Sequence, residues 1–258
     1  MSIDARPVQI RLRRVKSQVE RLERSYRTFA SRLNDYRLSV EPNDGFTEHV
    51  ERIHMSWQVP EWWAAGVGEV MYHLRSALDN LVWQLVLANG HEPGNQNEFP
   101  IAEDPCWYEK RSGAKLRGVP DAARSVIENV QPYKGPAEQL HAHPLWVIHN
   151  LNRIDKHHLL HVVAAYPSSG NFEVTPEMAA VEGGQMRLWY RPLEDGTEVR
   201  SFITPVPFHG EVPVGEVVTL NVVLRETDET PFYTFPVFMR ECLENVRRIV
   251  DGVVASAK

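Results

Sequence analysis

The stretch RPVQIRLRRVKSQVERLERSYRTFASRLNDYR, residues 6–37, decides the fold. Within it Val8, Leu12, Val15, Val19, Leu22, Tyr26, Phe29, Leu33 and Tyr36 recur at alternating steps of four and three. That is the seam of a long helix packing on partner helices, and it predicts one helix over 6–37. The surface of this helix is basic. Residues 1–37 hold ten Lys and Arg against four Asp and Glu, a local charge of +6 in a chain whose net charge is −6. Such asymmetry marks either a nucleic-acid-facing segment or the solvated side of an amphipathic helix.

Outward from this stretch, Pro42-Asn43-Asp44-Gly45 reads as a polar connection. A second long helix is predicted from Pro60, a residue tolerated in a first turn, to Asn89, with Gly90 ending it. Val67, Val70, Leu74, Leu78, Leu81 and Leu85 form its apolar stripe. Arg75 is spaced to pair with Asp79, and Glu69 with His73 as a surface pair, each one turn on. From His91 to Gly135 the chain reads as a long covering connection anchored by Phe99-Pro100-Ile101, with one short helical phrase at 121–130. A third long helix is expected from Pro144 to about Ala165.

Runs rich in β-branched residues follow at 186–191, 199–204 and 217–224, with Gly183-Gly184 and Asp195-Gly196 as turns. In the last helix, after Pro236, Met239, Leu243, Val246, Val250 and Val253 return to the four-and-three repeat. The expected fold is mainly α: a single domain over 1–258, a four-long-helix bundle with a small antiparallel β insertion between the third and fourth long helices, at 171–230.

Several classes are excluded by composition and motif. Cys106 and Cys242 are too few for a disulfide framework and lack zinc-like spacing, which points to a reduced, cytoplasmic setting. The N-terminus lacks the apolar core of a signal peptide, and the longest apolar stretch, Leu81 to Ala88, is interrupted by Gln84, so no membrane span is expected. Phosphate-loop, dinucleotide-binding, H-E-x-x-H and G-x-S-x-G patterns are absent from the sequence. The seven tryptophans, Trp57, Trp62, Trp63, Trp83 and Trp146 among them, read as core and edge packing rather than a base-stacking platform.

Chemistry concentrates on the third helix, where His149, Asn152, Arg153, Asp155, Lys156, His157, His158 and His161 crowd together. His149, Arg153, His157 and His161 step by four and form one ridge. His158 falls in line with Leu151, Ile154 and Val162, at the edge of the apolar stripe. Asp155, one turn back, is placed to hydrogen-bond it and to support its protonated form. A solvated helix face is the competing reading of the same cluster.

Arg153-Ile154-Asp155-Lys156-His157-His158 is an R-x4-H string on a late helix. In this it resembles the HEPN superfamily, whose nuclease members carry R-x4-6-H at a comparable place. The polar residue that often follows the arginine there is Ile154 here, with Asn152 on the other side. The phrases Leu74-Arg75-Ser76-Ala77-Leu78-Asp79 and Ile154-Asp155-Lys156-His157 also resemble a group of bacterial proteins from which no activity carries over.

The HEPN resemblance implies a metal-independent endoribonuclease, a toxin or defence protein, with a composite site across a homodimer and an antitoxin or regulatory partner. RNA supplies its own nucleophile in the ribose 2′-hydroxyl, so no cofactor is expected. His158 would be the general acid or base and Arg153 would stabilise phosphate charge, with Asp155 and Asn152 completing the catalytic set. Lys156, His157, His149, Arg13 and Arg14 would contact RNA. Because positions i and i+5 diverge by about 140° on one helix, two copies related by a two-fold axis would be needed to close the site. A different chemistry is also open: His157 and His161, with His73 or Glu69, would form a three-ligand metal site in a bundle. A third reading is a non-catalytic interaction scaffold.

Overall fold

Trp62–Ala88 is apolar on almost every side, which is the pattern of a helix buried in a core rather than lying on one. A computed structural model of the protein describes residues 3–158, 160, 162–164, 174–188, 193–214, 220–224 and 233–256. The chain divides into two compact units: Met1–Arg24 with Glu61–His161 and Arg225–Lys258, and Ser25–Pro60 with Val162–Leu224.

The first unit is helical. It contains most of α1 (Arg6–Ala30), then α2 (Trp62–Ala88), α3 (Pro105–Lys115), α4 (Asp121–Asn129), α5 (Pro144–Asp155) and, after the chain has passed through the second unit, the terminal helix (Val237–Ser256). The middle of this unit is α2. Its Leu74, Leu78, Leu81 and Leu85 are wholly buried, each contributing about 1.5–3 kcal/mol of hydrophobic stabilisation. Helix α5 and the terminal helix pack on α2 and on each other. The expected seam of the terminal helix is confirmed, for Met239, Leu243, Val246, Val250 and Val253 are all buried.

Helix α3 was not foreseen, although it carries its own start signal. Asp104 caps it, accepting the Trp107 amide at 2.8 Å, and Pro105 occupies the first turn. Helix α5 starts as expected at Pro144, with His143 Nδ1 accepting the Leu145 amide at 3.2 Å, but it ends ten residues early. The amides of His157 and His158 both converge on the Ile154 carbonyl, at 2.9 and 3.1 Å, in a closing turn. Val162–Ala164 then forms a strand, β3, where β-branched Val162 and Val163 favour extended backbone. Ala165, the expected helix end, lies outside the described residues.

The second unit is built on a sheet. Strands β1 (Tyr36–Pro42) and β2 (Glu48–Met55) form a hairpin in register from Tyr36 opposite Met55 to Pro42 opposite His49. Asn43 shapes its turn: its side-chain oxygen accepts the amides of Thr47 and Glu48 at 2.9 and 3.2 Å. After α6 (Pro176–Ala179) come β4 (Gln185–Leu188) and β5 (Thr197–Ile203), and the sheet order is β1-β2-β5-β4, antiparallel throughout. Separately, β3 pairs antiparallel with β6 (Val222–Leu224).

The mainly α, four-helix expectation is therefore corrected to a mixed α/β fold with a four-stranded antiparallel sheet. Half of that sheet comes from 36–55, ahead of the second long helix, so it is not an insertion between the third and fourth. The helical seam of α1 stops at Ala30 because Tyr36 belongs to β1. Strand β2 escaped notice because its inward face is polar. His49, Glu51, Ile53 and Met55 are the buried residues, and Glu51 is balanced by Arg200 of β5, 149 positions away, with contacts of 2.7 and 2.5 Å.

Candidate functional site at the end of α5

Helix α5 buries Leu145, Val147, Ile148 and Leu151 in the first unit, leaves His149 half-buried and turns Arg153 and its C-terminal turn outward. The cluster anticipated from sequence is only partly a cluster on a helix. Arg153 is exposed, and its Nη2 donates to Asn150 Oδ1 at 2.9 Å. Lys156, His157 and His158 are exposed on the closing turn, beyond the last helical residue. Asn152 is only 7% exposed and so does not face solvent as the other candidates do. His161 lies outside the described residues. Arg13 and Arg14 are exposed on α1.

Because the helix ends at Asp155, the 140° divergence between Arg153 and His158 no longer applies. His158 is carried by a turn, and its position relative to Arg153 is not fixed by helical geometry.

Asp155 has the most constrained placement. An atom added at the Cα of Gly68 on α2 would overlap its carboxylate, so a side chain there displaces one or the other. Burial pushes the Asp155 carboxyl above its ordinary value, while the neighbouring charge of His158 opposes the shift. This shows only that the charge of His158 acts on the Asp155 carboxyl, not the hydrogen bond between them expected from the sequence.

His149 is the second constrained group. Burial, then the charges of Arg75, Arg153, Lys115 and Lys156, push its imidazole down to about 4, so it is neutral near pH 7. Arg75 of α2 is the most buried of these cations. One terminal nitrogen donates to the Phe99 carbonyl at 2.8 Å and lies 3.0 Å from Asp79 Oδ1 and 3.5 Å from Glu98 Oε2. Its other terminal nitrogen, Nη1, is buried with no hydrogen-bond partner among the described residues. Lys115, at the end of α3, pairs with Glu98, and burial lowers its pKa, with Arg75 adding to the shift. Arg75 with Asp79 was legible as a one-turn pair. Lys115, Glu98 and Gly68 were not, because each joins the site from a distant segment; only the Gly66-x-Gly68 spacing inside an otherwise strong helix hinted at close approach.

Among the described residues neither Arg153 nor Lys156 is paired with a carboxylate, and both are exposed. Two solvent-facing cations, a carboxylate beside an imidazole and a neutral histidine within the field of four cations make an anion-attracting surface with proton-transfer groups in it.

For the alternative metal reading, no group of three His, Cys, Asp or Glu side chains among the described residues is arranged to hold an ion. His73 faces a cation instead: Arg11 Nη1 lies 3.1 Å from its Nδ1, and burial with the charges of Arg11 and Arg14 lowers its pKa.

No family model, no curated protein and no solved structure matches the chain. Among the described residues, no helix is long and apolar enough to cross a membrane.

Proposed function

We propose that the C-terminal turn of α5 binds a phosphodiester of RNA and cleaves it without a metal ion. The observation that supports this most is the exposure of Arg153 and Lys156, free of carboxylate partners among the described residues, beside the coupled Asp155 and His158. His158 accepts the proton of a ribose 2′-hydroxyl, whose oxygen attacks the adjacent phosphorus. The bond from phosphorus to the 5′-oxygen breaks, and that oxygen leaves with a proton from water. The products are a 2′,3′-cyclic phosphate and a 5′-hydroxyl end.

Arg153 and Lys156 stabilise the charge that grows on the non-bridging oxygens. Asp155 favours the imidazolium that His158 becomes after taking the proton. His149, neutral, offers a hydrogen bond to phosphate at no cost in like-charge repulsion. One protomer supplies all of these groups, and sedimentation velocity tests whether a second copy joins them.

The test is cleavage of an unstructured RNA by the parent protein, Arg153→Ala and His158→Ala. Removing the proton-transfer group is expected to slow cleavage about 10²- to 10⁴-fold. Equal rates for all three proteins would overturn the proposal.

A further inference from the structure

Trp62 and Tyr72 face solvent on α2, with 38% and 48% of their surface exposed. Both lie along the seam where α1 and α2 approach closely. An atom added at the Cα of Gly66 would meet Leu22 Cδ2 at 2.9 Å and Gln18 Nε2 at 3.3 Å. Each ring has an α1 arginine over it: Arg21 is 4.7 Å from the centre of the Trp62 ring and Arg11 is 5.9 Å from that of Tyr72. The ten residues separating the members of each pair span about 15 Å of helix.

Cations outnumber acids on α1. Helix α1 carries eight Lys and Arg against Glu20 and Glu23, and both acids are engaged, Glu20 with Lys16 at 3.8 Å and Glu23 with Arg240 at 2.6 Å. The exposed Glu69 of α2 is the one acid whose charge acts on His73 in the stripe.

An arginine-rich surface with aromatic rings at intervals is the composition that takes up a single strand: arginines meet phosphates, rings stack unpaired bases, and stacking tolerates any base because every base has a π-face. A buried-core role does not explain rings left this exposed. A duplex offers phosphates but hides its base faces, so the rings discriminate between the two.

We infer that the α1/α2 seam is a docking stripe for single-stranded nucleic acid, with Trp62 and Tyr72 stacking bases and the arginines of α1 holding the strand. The two rings, about 15 Å apart against a spacing of about 3.4 Å between neighbouring stacked bases, take bases separated along the strand. This rests on RNA as the ligand of the α5 turn and specifies its form as unpaired.

The test uses a fluorescent 12-nucleotide 2′-O-methyl RNA, which lacks the attacking hydroxyl and so reports binding without cleavage, and the same strand in a blunt duplex. Trp62→Ala and Tyr72→Ala are each expected to weaken single-strand binding about tenfold and to leave duplex binding unchanged. Trp62→Phe, which keeps a ring, retains most of the affinity and controls for misfolding. With about three phosphates held, raising salt from 50 to 200 mM weakens binding roughly 20-fold.

Equal binding of strand and duplex, or parental affinity in both alanine variants, would overturn the inference. So would a protein dimer that dissociates on Trp62→Ala, which would make the stripe an interface between copies. No cleavage of unmodified RNA by the parent protein, with binding of the probe intact, would instead remove the catalytic proposal and leave the stripe standing.

Discussion

Gly68→Ala probes the join between α2 and the α5 turn. A glycine inside a helix costs about 0.5–1 kcal/mol relative to alanine, so helix propensity alone predicts a more stable protein. The added methyl, however, would overlap the Asp155 carboxylate. Asp155 is short and is anchored at a helix end, so relief requires a shift of the α5 terminus or a change of rotamer, at about 1–3 kcal/mol. The balance is a loss of about 1 kcal/mol, a fall in Tm of about 2–4 °C for a protein of this size. Because Asp155→Ala removes the obstructing carboxylate, Gly68→Ala in that background reverts to its propensity and stabilises. The double-mutant cycle therefore carries a coupling energy of about 2 kcal/mol. Urea denaturation followed by tryptophan fluorescence reads all four proteins. A stabilising Gly68→Ala in the parent, with no coupling to Asp155→Ala, would refute the close approach.

Further expectations concern His149 and the sheet. The His149 folded-state pKa, about 4, lies below its ordinary 6.5, so the unfolded chain binds the extra proton between those values. The stability associated with the neutral imidazole is complete above about pH 6.5 and is lost as pH falls towards 4. Its ring proton shift, followed by NMR, should titrate near the lower value; a midpoint at 6.5 would contradict the burial of the ring and the cations around it. In the second unit, Glu51→Gln removes the carboxylate charge facing the buried Arg200 guanidinium and is expected to cost about 3–5 kcal/mol. Glu51→Leu with Arg200→Met should recover part of that loss, measured by thermal unfolding, and strictly additive losses would show that the two side chains do not depend on each other.

Periodicity exposed the helices that bury a continuous apolar seam. The repeats in α1, α2 and the terminal helix were readable because their inward residues are Leu, Val, Met and Phe, and nearly all proved buried. Strand β2 was unreadable for the converse reason. Its inward His49 and Glu51 look like surface residues until Arg200 is brought beside them by a strand 149 positions on. Extending α5 to Ala165 followed the histidine ridge past the point where β-branched Val162 and Val163 turn the chain into β3.

At the site, Arg75 with Asp79, one turn apart, was legible. The cations that surround His149 come from α2, α3 and α5 together, and no local pattern in the sequence records that convergence. The tryptophans divide between core and edge as expected: Trp57, Trp63 and Trp146 are buried, and Trp62 and Trp83 are 38% and 40% exposed.

The central claim is phosphodiester cleavage by the α5 turn alone, and end-group analysis of RNA incubated with the protein in excess EDTA addresses it directly. Fragments ending in a 2′,3′-cyclic phosphate and beginning with a 5′-hydroxyl are predicted from the parent and not from His158→Ala. Intact RNA, or fragments that form only when a divalent ion is restored, would contradict it.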